Sequence, residues 1–262
     1  MNTTAPDNEE GLPFVAPCRA VAWDAPWHWL GAGWRDFRSG GTTSVACGSA
    51  IVLLSWLVMM VALRFGTGWM VLVLLSAFIF IAPVLCLTFY SVSAALAQGR
   101  RPGIVETFRV AHRHLADAMV YSLVLLVISL VWVRAGSAVQ IFFPDESPPR
   151  FEDWLLFLGI GSAVGAVFAL VAFAASAFSL PMLVDRRTDA ITAVVTSVNA
   201  TLRNKRAMAL WAVMIVLAVA LGFVTGLLGL AITMPVVGHA TWHAYREVID
   251  ASQWPPGDGP RT

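Results

Sequence analysis

Two histidines four residues apart, His239 and His243, are the residues of this sequence whose type and spacing could hold a metal ion or a haem. At positions i and i+4 both rings lie on one face of a helix, where two imidazole nitrogens can approach one metal. A complete site needs further ligands, and His112, His114 and Asp117 occur in a stretch that could approach the pair. The spacing therefore allows a metal or haem site with His239 and His243 as ligands.

The same stretch also fits the end of a membrane-spanning helix. The carbonyl end of a helix favours cations, and aromatic and basic side chains gather where a helix leaves a bilayer. Trp242 and Arg246 stand beside the histidines and would meet the headgroups. An interface explains His243, whereas His239 would lie about two turns farther inside. His239 therefore needs a hydrogen-bonding partner that the sequence does not name.

Other signatures of catalysis or cofactor binding are absent from the sequence. It contains no GxSxG elbow, no P-loop and no GxGxxG fingerprint. The three cysteines, Cys18, Cys47 and Cys86, are odd in number and form no CxxC pair, so we expect buried, unreactive thiols. We expect no enzymatic activity, and no cofactor unless the histidine pair binds a metal or haem.

Composition identifies the environment in which these residues act. The chain has 262 residues, of which 58% are hydrophobic and 13% are charged, and its mean hydropathy is +0.74. Soluble domains carry about 25% charged residues. Several apolar runs reach the roughly 20 residues that a helix needs to cross a bilayer. The sequence therefore predicts an all-α integral membrane protein.

We predict six transmembrane helices and expect a glycine-rich turn, "GFVTGLLG", to separate the last two. The predicted spans cover residues 45–63, 69–97, 118–133, 154–184, 207–224 and 227–245. We expect a disordered arm at 1–22, a membrane domain at 23–249 and a disordered tail at 250–262. No Asp, Glu, Lys or Arg lies within the six spans, which disfavours ion-coupled transport.

Basic residues predict the orientation. Of the 17 Lys and Arg residues, 14 fall in the two ends and in the second and fourth loops, and three fall on the other side. Because basic residues near the ends of spans stay in the cytoplasm, both termini are expected there. The expected location is a bacterial cytoplasmic (inner) membrane.

An amphipathic stretch precedes each odd-numbered span. The stretches are "APWHWLGAGWRDFRSG", "RPGIVETFRVAHRHL" and "TDAITAVVTSVNATLRNKR". They predict three helices on the cytoplasmic side and a threefold repeat of surface helix, span, turn and span. These helices could lie among the headgroups, with Trp27, Trp34 and Arg35 joining Trp242 and Arg246 at the interface, or they could simply cover the bundle.

Tryptophans and small residues suggest where the spans meet lipid and one another. We expect Trp69, Trp132 and Trp154 at the outer interface, and Trp211 and Trp242 at the inner one. Trp56 lies within a span and is expected to pack against another helix. A stripe of small residues in the fourth span favours close helix packing, within or between copies of the chain. The stripe consists of Gly161, Gly165, Ala169, Ala172 and Ser176.

Three stretches carry a resemblance to a known family: "APWHWLGAGWRDF", "SLPMLVDRRTDAITAVVTSVNATLRN" and "MPVVGHATWHAYREV". Together they resemble a bacterial family of integral membrane proteins that has only a domain-of-unknown-function name and whose members are sometimes labelled cytochrome c oxidase subunit I. The resemblance covers residues 19–248 and implies a six-span inner-membrane protein, without an activity or site residues. A catalytic oxidase subunit needs histidines on facing helices, and one helix cannot hold one haem iron from both sides.

The functional expectation is a non-catalytic membrane component. It is either an accessory or scaffold protein, or a passive pathway for an apolar or lipid-like molecule. The alternative is a metal- or haem-binding membrane protein associated with a respiratory oxidase. The expected partners are the lipid bilayer with its anionic headgroups and a larger membrane complex or a homo-oligomer, and not nucleic acid.

Overall fold

The computed structural model describes residues 13–66, 68–101, 103–140 and 151–257, without the side chains of 68–79, 139, 140, 151, 153 and 154. Helices make up most of this part of the chain, and two isolated antiparallel bridges are its only β-type contacts. The helices of the described chain are α1 (Ala25–Phe65), α2 (Gly68–Ala97), α3 (Ile104–Arg113), α4 (Leu115–Gln140), α5 (Phe151–Ser176), α6 (Ser179–Asp185), α7 (Ala190–Arg203), α8 (Lys205–Val224) and α9 (Leu230–Val248). The predicted all-α fold is therefore confirmed.

A kink divides α1 into a surface segment, residues 25–40, and a spanning segment, residues 42–65. At the kink Gly41 has φ 51° and ψ −124°, a conformation that residues with a Cβ rarely adopt. The surface segment corresponds to the first predicted amphipathic stretch. α3 and α7 are the other two, and each leads directly into the helix after it through one residue, His114 or Asn204. Within the described residues, the predicted order of a surface helix followed by two long helices occurs three times.

The fourth predicted span, 154–184, is interrupted. α5 ends at Ser176, and a short α6 carries Pro181 as its third residue. Proline is well tolerated in the first turn of a helix, where no backbone hydrogen bond is lost. The chain starts a new helix at Ser179 with Pro181 in its first turn. The predicted span thus consists of two consecutive helices, which together form one stretch long and apolar enough to cross a membrane, Leu155–Asp185.

Five helical stretches of the described chain are long and apolar enough to cross a membrane. They are Ala25–Phe65, Phe80–Ala97, Leu115–Ala138, Leu155–Asp185 and Lys205–Val224. The predicted sixth span, 227–245, falls on α9, which begins at Leu230 and is not among these five. Twelve of its 19 residues are buried. Because protein surrounds much of α9, it can carry histidines and charged residues that a lipid-exposed helix could not.

The helices α1 and α9 approach one another closely. A Cβ on Gly48 of α1 would lie 2.1 Å from the backbone oxygen of Ala231 on α9. A small residue at such a position lets two backbones pack against each other. The predicted turn between α8 and α9 is confirmed at residues 225–229, and the Trp56 indole, expected to pack against a helix, donates to the Gly226 carbonyl oxygen of this turn at 3.1 Å.

Both ends of the described chain lie on the same side of the bundle. The Arg19 N–H donates to the Val248 carbonyl oxygen at 2.7 Å, and the Asp250 N–H donates to Pro17 at 2.9 Å. Residues 13–22 and 250–257, parts of the ends expected to be disordered, are thus joined by hydrogen bonds. Residues 1–12, 141–150 and 258–262 lie outside the described residues.

Candidate functional site

Five polar residues from three helices form a connected cluster, which we call the histidine network. Its members are Asp36 and Ser44 of α1, Ser93 of α2, and His239 and His243 of α9. Asp36 and Ser44 lie on either side of the α1 kink. The kink therefore allows one helix to contribute a carboxylate from its surface segment and a hydroxyl from its spanning segment.

Each imidazole of the network has a polar partner within hydrogen-bonding distance. His239 Nε2 lies 3.0 Å from Ser44 Oγ, and its Nδ1 lies 2.9 Å from Ser93 Oγ. Ser93 also donates to Asp36 Oδ2 at 2.7 Å, and His243 Nε2 lies 2.8 Å from the same oxygen. The partner that His239 needed is thus a pair of serine hydroxyls, which satisfy both of its nitrogens.

The donor and acceptor capacities of the side chains indicate which atoms of the network carry protons. An ionised Asp36 only accepts hydrogen bonds, so the single hydroxyl hydrogen of Ser93 is used there. The contact between Ser93 and His239 then requires a hydrogen on His239 Nδ1. His239 Nε2 is left to accept from the Ser44 hydroxyl, which gives a neutral imidazole with one tautomer. His243 donates to Asp36 from Nε2.

Asp36 is the charged member of the network. Burial alone would raise the pKa of its carboxyl, but hydrogen bonds from His243 and Ser93 outweigh that effect and hold the pKa below its ordinary value. The carboxylate therefore stays ionised and fixes the direction of every hydrogen bond that leads to His239.

One end of the network is fully buried, and the other end is partly exposed. Ser44 and His239 are 0% exposed and Ser93 is 1% exposed, whereas the His243 side chain is 35% exposed. The contact between Ser44 and His239 has the geometry of a nucleophile and its base. A substrate, however, would have to reach a fully buried hydroxyl. The arrangement is suited to holding α1, α2 and α9 together, with His243 as its contact to the surroundings.

The two predicted metal ligands, His239 and His243, do not direct free ring nitrogens at a common point. Both nitrogens of His239 face serine hydroxyls, and His243 Nε2 faces a carboxylate. Among the described residues no group of three or more His, Cys, Asp or Glu side chains is placed to hold a metal ion. Of the three suggested further ligands, His112 is exposed, and His114 and Asp117 pair with one another, with 3.8 Å between Nδ1 and Oδ2.

The predicted interface residues divide into two groups. Trp27 and Trp34 are 60% and 45% exposed, and Arg35 is exposed beside them. Arg246 has a 54% exposed side chain and pairs with Asp185 at 3.3 Å. Trp242, in contrast, is only 3% exposed, so it packs inside the bundle and does not face outward.

The tryptophans expected at the two membrane faces also differ from one another. Trp211, predicted at the inner face, is fully buried and packs edge-on against Trp29, with 5.9 Å between the ring centroids. Trp132, predicted at the outer face, is 42% exposed. The side chains of Trp69 and Trp154 lie outside the described residues.

The sequence did not point to Asp36 and Ser93. Asp36 stands between two arginines next to an apolar stripe, so a solvated charge was the natural interpretation. A signal was present, however, on another face of the helix. Trp29, Ala32, Gly33 and Asp36 recur at helical spacing, and the first three are buried. That face packs into the bundle, and Asp36 enters the bundle because it lies on the same face.

Comparisons with known proteins give a match to one family model and no activity. No curated protein and no solved structure matches the chain. The matching family model covers residues 70–185, from α2 to α6, and so includes Ser93 but no other member of the histidine network. Its description, predicted integral membrane protein (DUF2189), confirms the resemblance found in the sequence, and the chain is an integral membrane protein with several apolar helices.

Proposed function

We propose that the protein is a non-catalytic accessory or scaffold component of a bacterial cytoplasmic membrane, with both termini in the cytoplasm. The observation that carries this proposal is the orientation of the surface helices. α7 buries small and polar residues, namely Ala190, Thr192, Ala193, Thr196, Ser197 and Ala200. Its large apolar residues Ile191 and Leu202 are 62% and 57% exposed.

A helix that merely covered a bundle would turn its large apolar residues inward. α3 is similar, because it leaves Val105 and Phe108 71% and 47% exposed, although it buries Val110 together with Thr107 and Ala111. Outward apolar side chains among arginines are typical of helices that lie among lipid headgroups. This supports a protein anchored at one membrane face by three helices, with the lipid bilayer as its first partner.

The scaffold role is supported by the difference between the tightly packed core of α1, α2 and α9 and the exposed apolar surface of α5. The core of α1, α2 and α9 is joined by the histidine network and by close backbone contacts. In α5, by contrast, Val167 and Leu170 are 60% and 62% exposed. A rigid core suits a protein that holds others in place, and α5 offers the apolar surface at which another membrane helix would pack.

Photo-crosslinking in native membranes tests the proposal. A crosslinking residue at position 167 of α5 is compared with one at position 216 of α8, where Val216 is 65% exposed. We expect position 167 to give one discrete protein adduct and position 216 to give mainly lipid adducts. Lipid adducts alone at both positions would contradict a scaffold role.

A passive pathway for a lipid-like molecule is the second candidate. It is favoured by a cavity of about 720 Å³ on the side of the bundle that carries both termini. The purified protein in vesicles should then speed the transfer of a fluorescent phospholipid between leaflets without any ion gradient. A scaffold should leave the transfer rate at that of empty vesicles.

Two alternatives can be tested directly. One is that the protein binds a metal or haem, and the other is that Ser44 is the nucleophile of a hydrolase. Metal analysis and an absorption spectrum of the purified protein would reveal stoichiometric metal or haem, which should vanish in the variant with both His239→Ala and His243→Ala. A fluorophosphonate probe would label an active serine and fail to label Ser44→Ala. We expect neither signal, because the nitrogens and the hydroxyl are engaged with one another.

A further inference from the structure

A cavity of about 720 Å³ lies between the junction of α3 and α4, the segment that joins α6 to α7, and the C-terminal segment. This volume falls within the range of roughly 300 to 1,000 Å³ that small-molecule sites occupy. No member of the histidine network lines it. The cavity is therefore a separate feature of the side on which both termini lie.

Backbone contacts fix the C-terminal wall of the cavity. The Gly257 N–H donates to the Asp185 carbonyl oxygen at 2.7 Å, and the Arg187 N–H donates to Pro255 at 2.9 Å. The Arg186 guanidinium donates to the Trp254 carbonyl oxygen at 2.9 Å. The lining residues of this wall are thus held in place before any ligand arrives.

Charges of both signs line the cavity. Arg113 and Arg187 are exposed basic side chains, and Asp117, with a side chain 49% exposed, stands four residues after Arg113. Asp189 is a second carboxylate and also caps α7, where its Oδ1 accepts from two backbone N–H groups at 2.9 Å. A simple anion would meet the carboxylates and a simple cation would meet the arginines. A ligand with both charges is complementary to both.

Hydrogen-bonding capacity and apolar surface complete the lining. Thr188 also lines the cavity, and its Oγ1 is buried without a hydrogen-bond partner within the described chain. Phe14 and Leu183 supply apolar surface. Ile191, two residues beyond Asp189, is 62% exposed on the outward face of α7. Lipid chains could therefore run along α7 from a headgroup held in the cavity.

We propose that this cavity binds the headgroup of an aminophospholipid of the phosphatidylethanolamine type. The arginines hold the phosphate, and the carboxylates hold the primary ammonium. Arginine forms strong, charge-assisted hydrogen bonds with phosphate oxygens, and a primary ammonium offers N–H donors to carboxylates that a choline headgroup lacks. The inference rests on the proposed placement of the surface helices at headgroup level.

The test uses the full-length protein, delipidated in detergent, with lipids of matched chains added. Native mass spectrometry counts the bound lipid, and the thermal midpoint Tm reports stabilisation. We expect phosphatidylethanolamine to bind at least fivefold more tightly than phosphatidylcholine. Soluble phosphoethanolamine, which carries the same charges without chains, should compete weakly.

Two variants separate the roles of the charges. Arg113→Gln should weaken phosphatidylethanolamine binding about fivefold, the effect typical of losing one basic residue at a membrane surface. Asp117→Asn should retain phospholipid binding but lose the preference for ethanolamine over choline. Arg109→Gln is the matched control, because Arg109 is an exposed arginine one turn earlier on α3 and does not line the cavity.

The proposal is overturned by equal binding of the two lipids, by equal losses in Arg109→Gln and Arg113→Gln, or by soluble phosphoethanolamine competing as well as the lipid. Circular dichroism and the Tm without lipid confirm that each variant folds. If Arg113→Gln does not fold, Arg187→Gln is used in its place. The crosslinking pattern of α5 is independent of these results, so failure here and failure of the scaffold role can be told apart.

Discussion

Ser93 Oγ lies 2.9 Å from His239 Nδ1 and so joins α2 to α9 at the centre of the bundle. The same hydroxyl donates to Asp36 of α1 at 2.7 Å. One serine thus connects three helices through two hydrogen bonds, in a place where an unpaired polar atom is costly. The chain can keep a histidine within its apolar interior because this hydroxyl and that of Ser44 occupy both ring nitrogens.

Ser93→Ala should therefore lower the free energy of unfolding by about 1 to 3 kcal/mol, the range for leaving a buried polar group without its partner. Unfolding in mixed micelles, followed by circular dichroism, measures the change. The matched control is Ser91→Ala on the same helix, because the Ser91 hydroxyl donates to the Leu87 carbonyl oxygen of its own helix at 2.7 Å. Equal losses in the two variants would show that Ser93 contributes nothing across the helices.

Substitution at Gly48 tests the close approach of α1 and α9. A Cβ there would lie 2.1 Å from the Ala231 carbonyl oxygen, so Gly48→Ala must push two backbones apart. Overpacking of this kind costs about 1 to 3 kcal/mol. Gly161→Ala on α5 has open space around the new methyl group and should leave stability unchanged or raise it slightly. The same unfolding assay applies, and an unaffected Gly48→Ala would refute the tight contact.

The positions of the helices follow from hydropathy and periodicity, which report how each segment partitions between water and lipid. They therefore located the long helices, the three surface helices and the turn at 225–229. Which side chains meet is decided by packing between segments far apart in the chain. Ser93 and His239 are separated by 146 positions, and no local pattern connects them. The outward orientation of Ile191 and the burial of Trp242 likewise depend on neighbours that the sequence does not specify.

Stability should depend on acidity through Asp36. Its pKa lies below the ordinary value because hydrogen bonds from His243 and Ser93 outweigh the opposing effect of burial. A carboxyl whose folded-state pKa is depressed contributes stability above its unfolded-state pKa, and that stability is lost as the pH falls through the folded-state pKa. We expect the free energy of unfolding to decline as the pH falls from about 5 to about 3.

In the Asp36→Asn variant the free energy of unfolding should decline less steeply as the pH falls, because asparagine does not titrate. Asp24→Asn, which removes a carboxylate just before the same helix, should keep the slope of the parent protein. Unfolding measured at a series of pH values with constant salt distinguishes the variants. If Asp36→Asn retained the full slope, another titrating group would be responsible for it.

Asn204 should control how firmly the N-terminal arm is held. Its Oδ1 accepts from the Val21 N–H at 2.9 Å, and its Nδ2 donates to the Arg19 carbonyl oxygen at 3.0 Å. Asn204→Ala removes both bonds and should make local opening of the arm easier by about 1.4 kcal/mol, or tenfold. Trypsin cleavage after Arg19 should then be about tenfold faster.

Thr201→Ala is the control for this experiment, because Thr201 lies one turn earlier on α7 and its buried Oγ1 has no hydrogen-bond partner within the described residues. Its cleavage rate should match that of the parent protein. If Asn204→Ala also kept the parental rate, the ion pair of Arg19 with Asp250, at 3.0 Å, and the bond from Arg19 to Val248 would hold the arm without it. A faster rate in Asn204→Ala alone would assign the anchoring of the arm to the junction of α7 and α8.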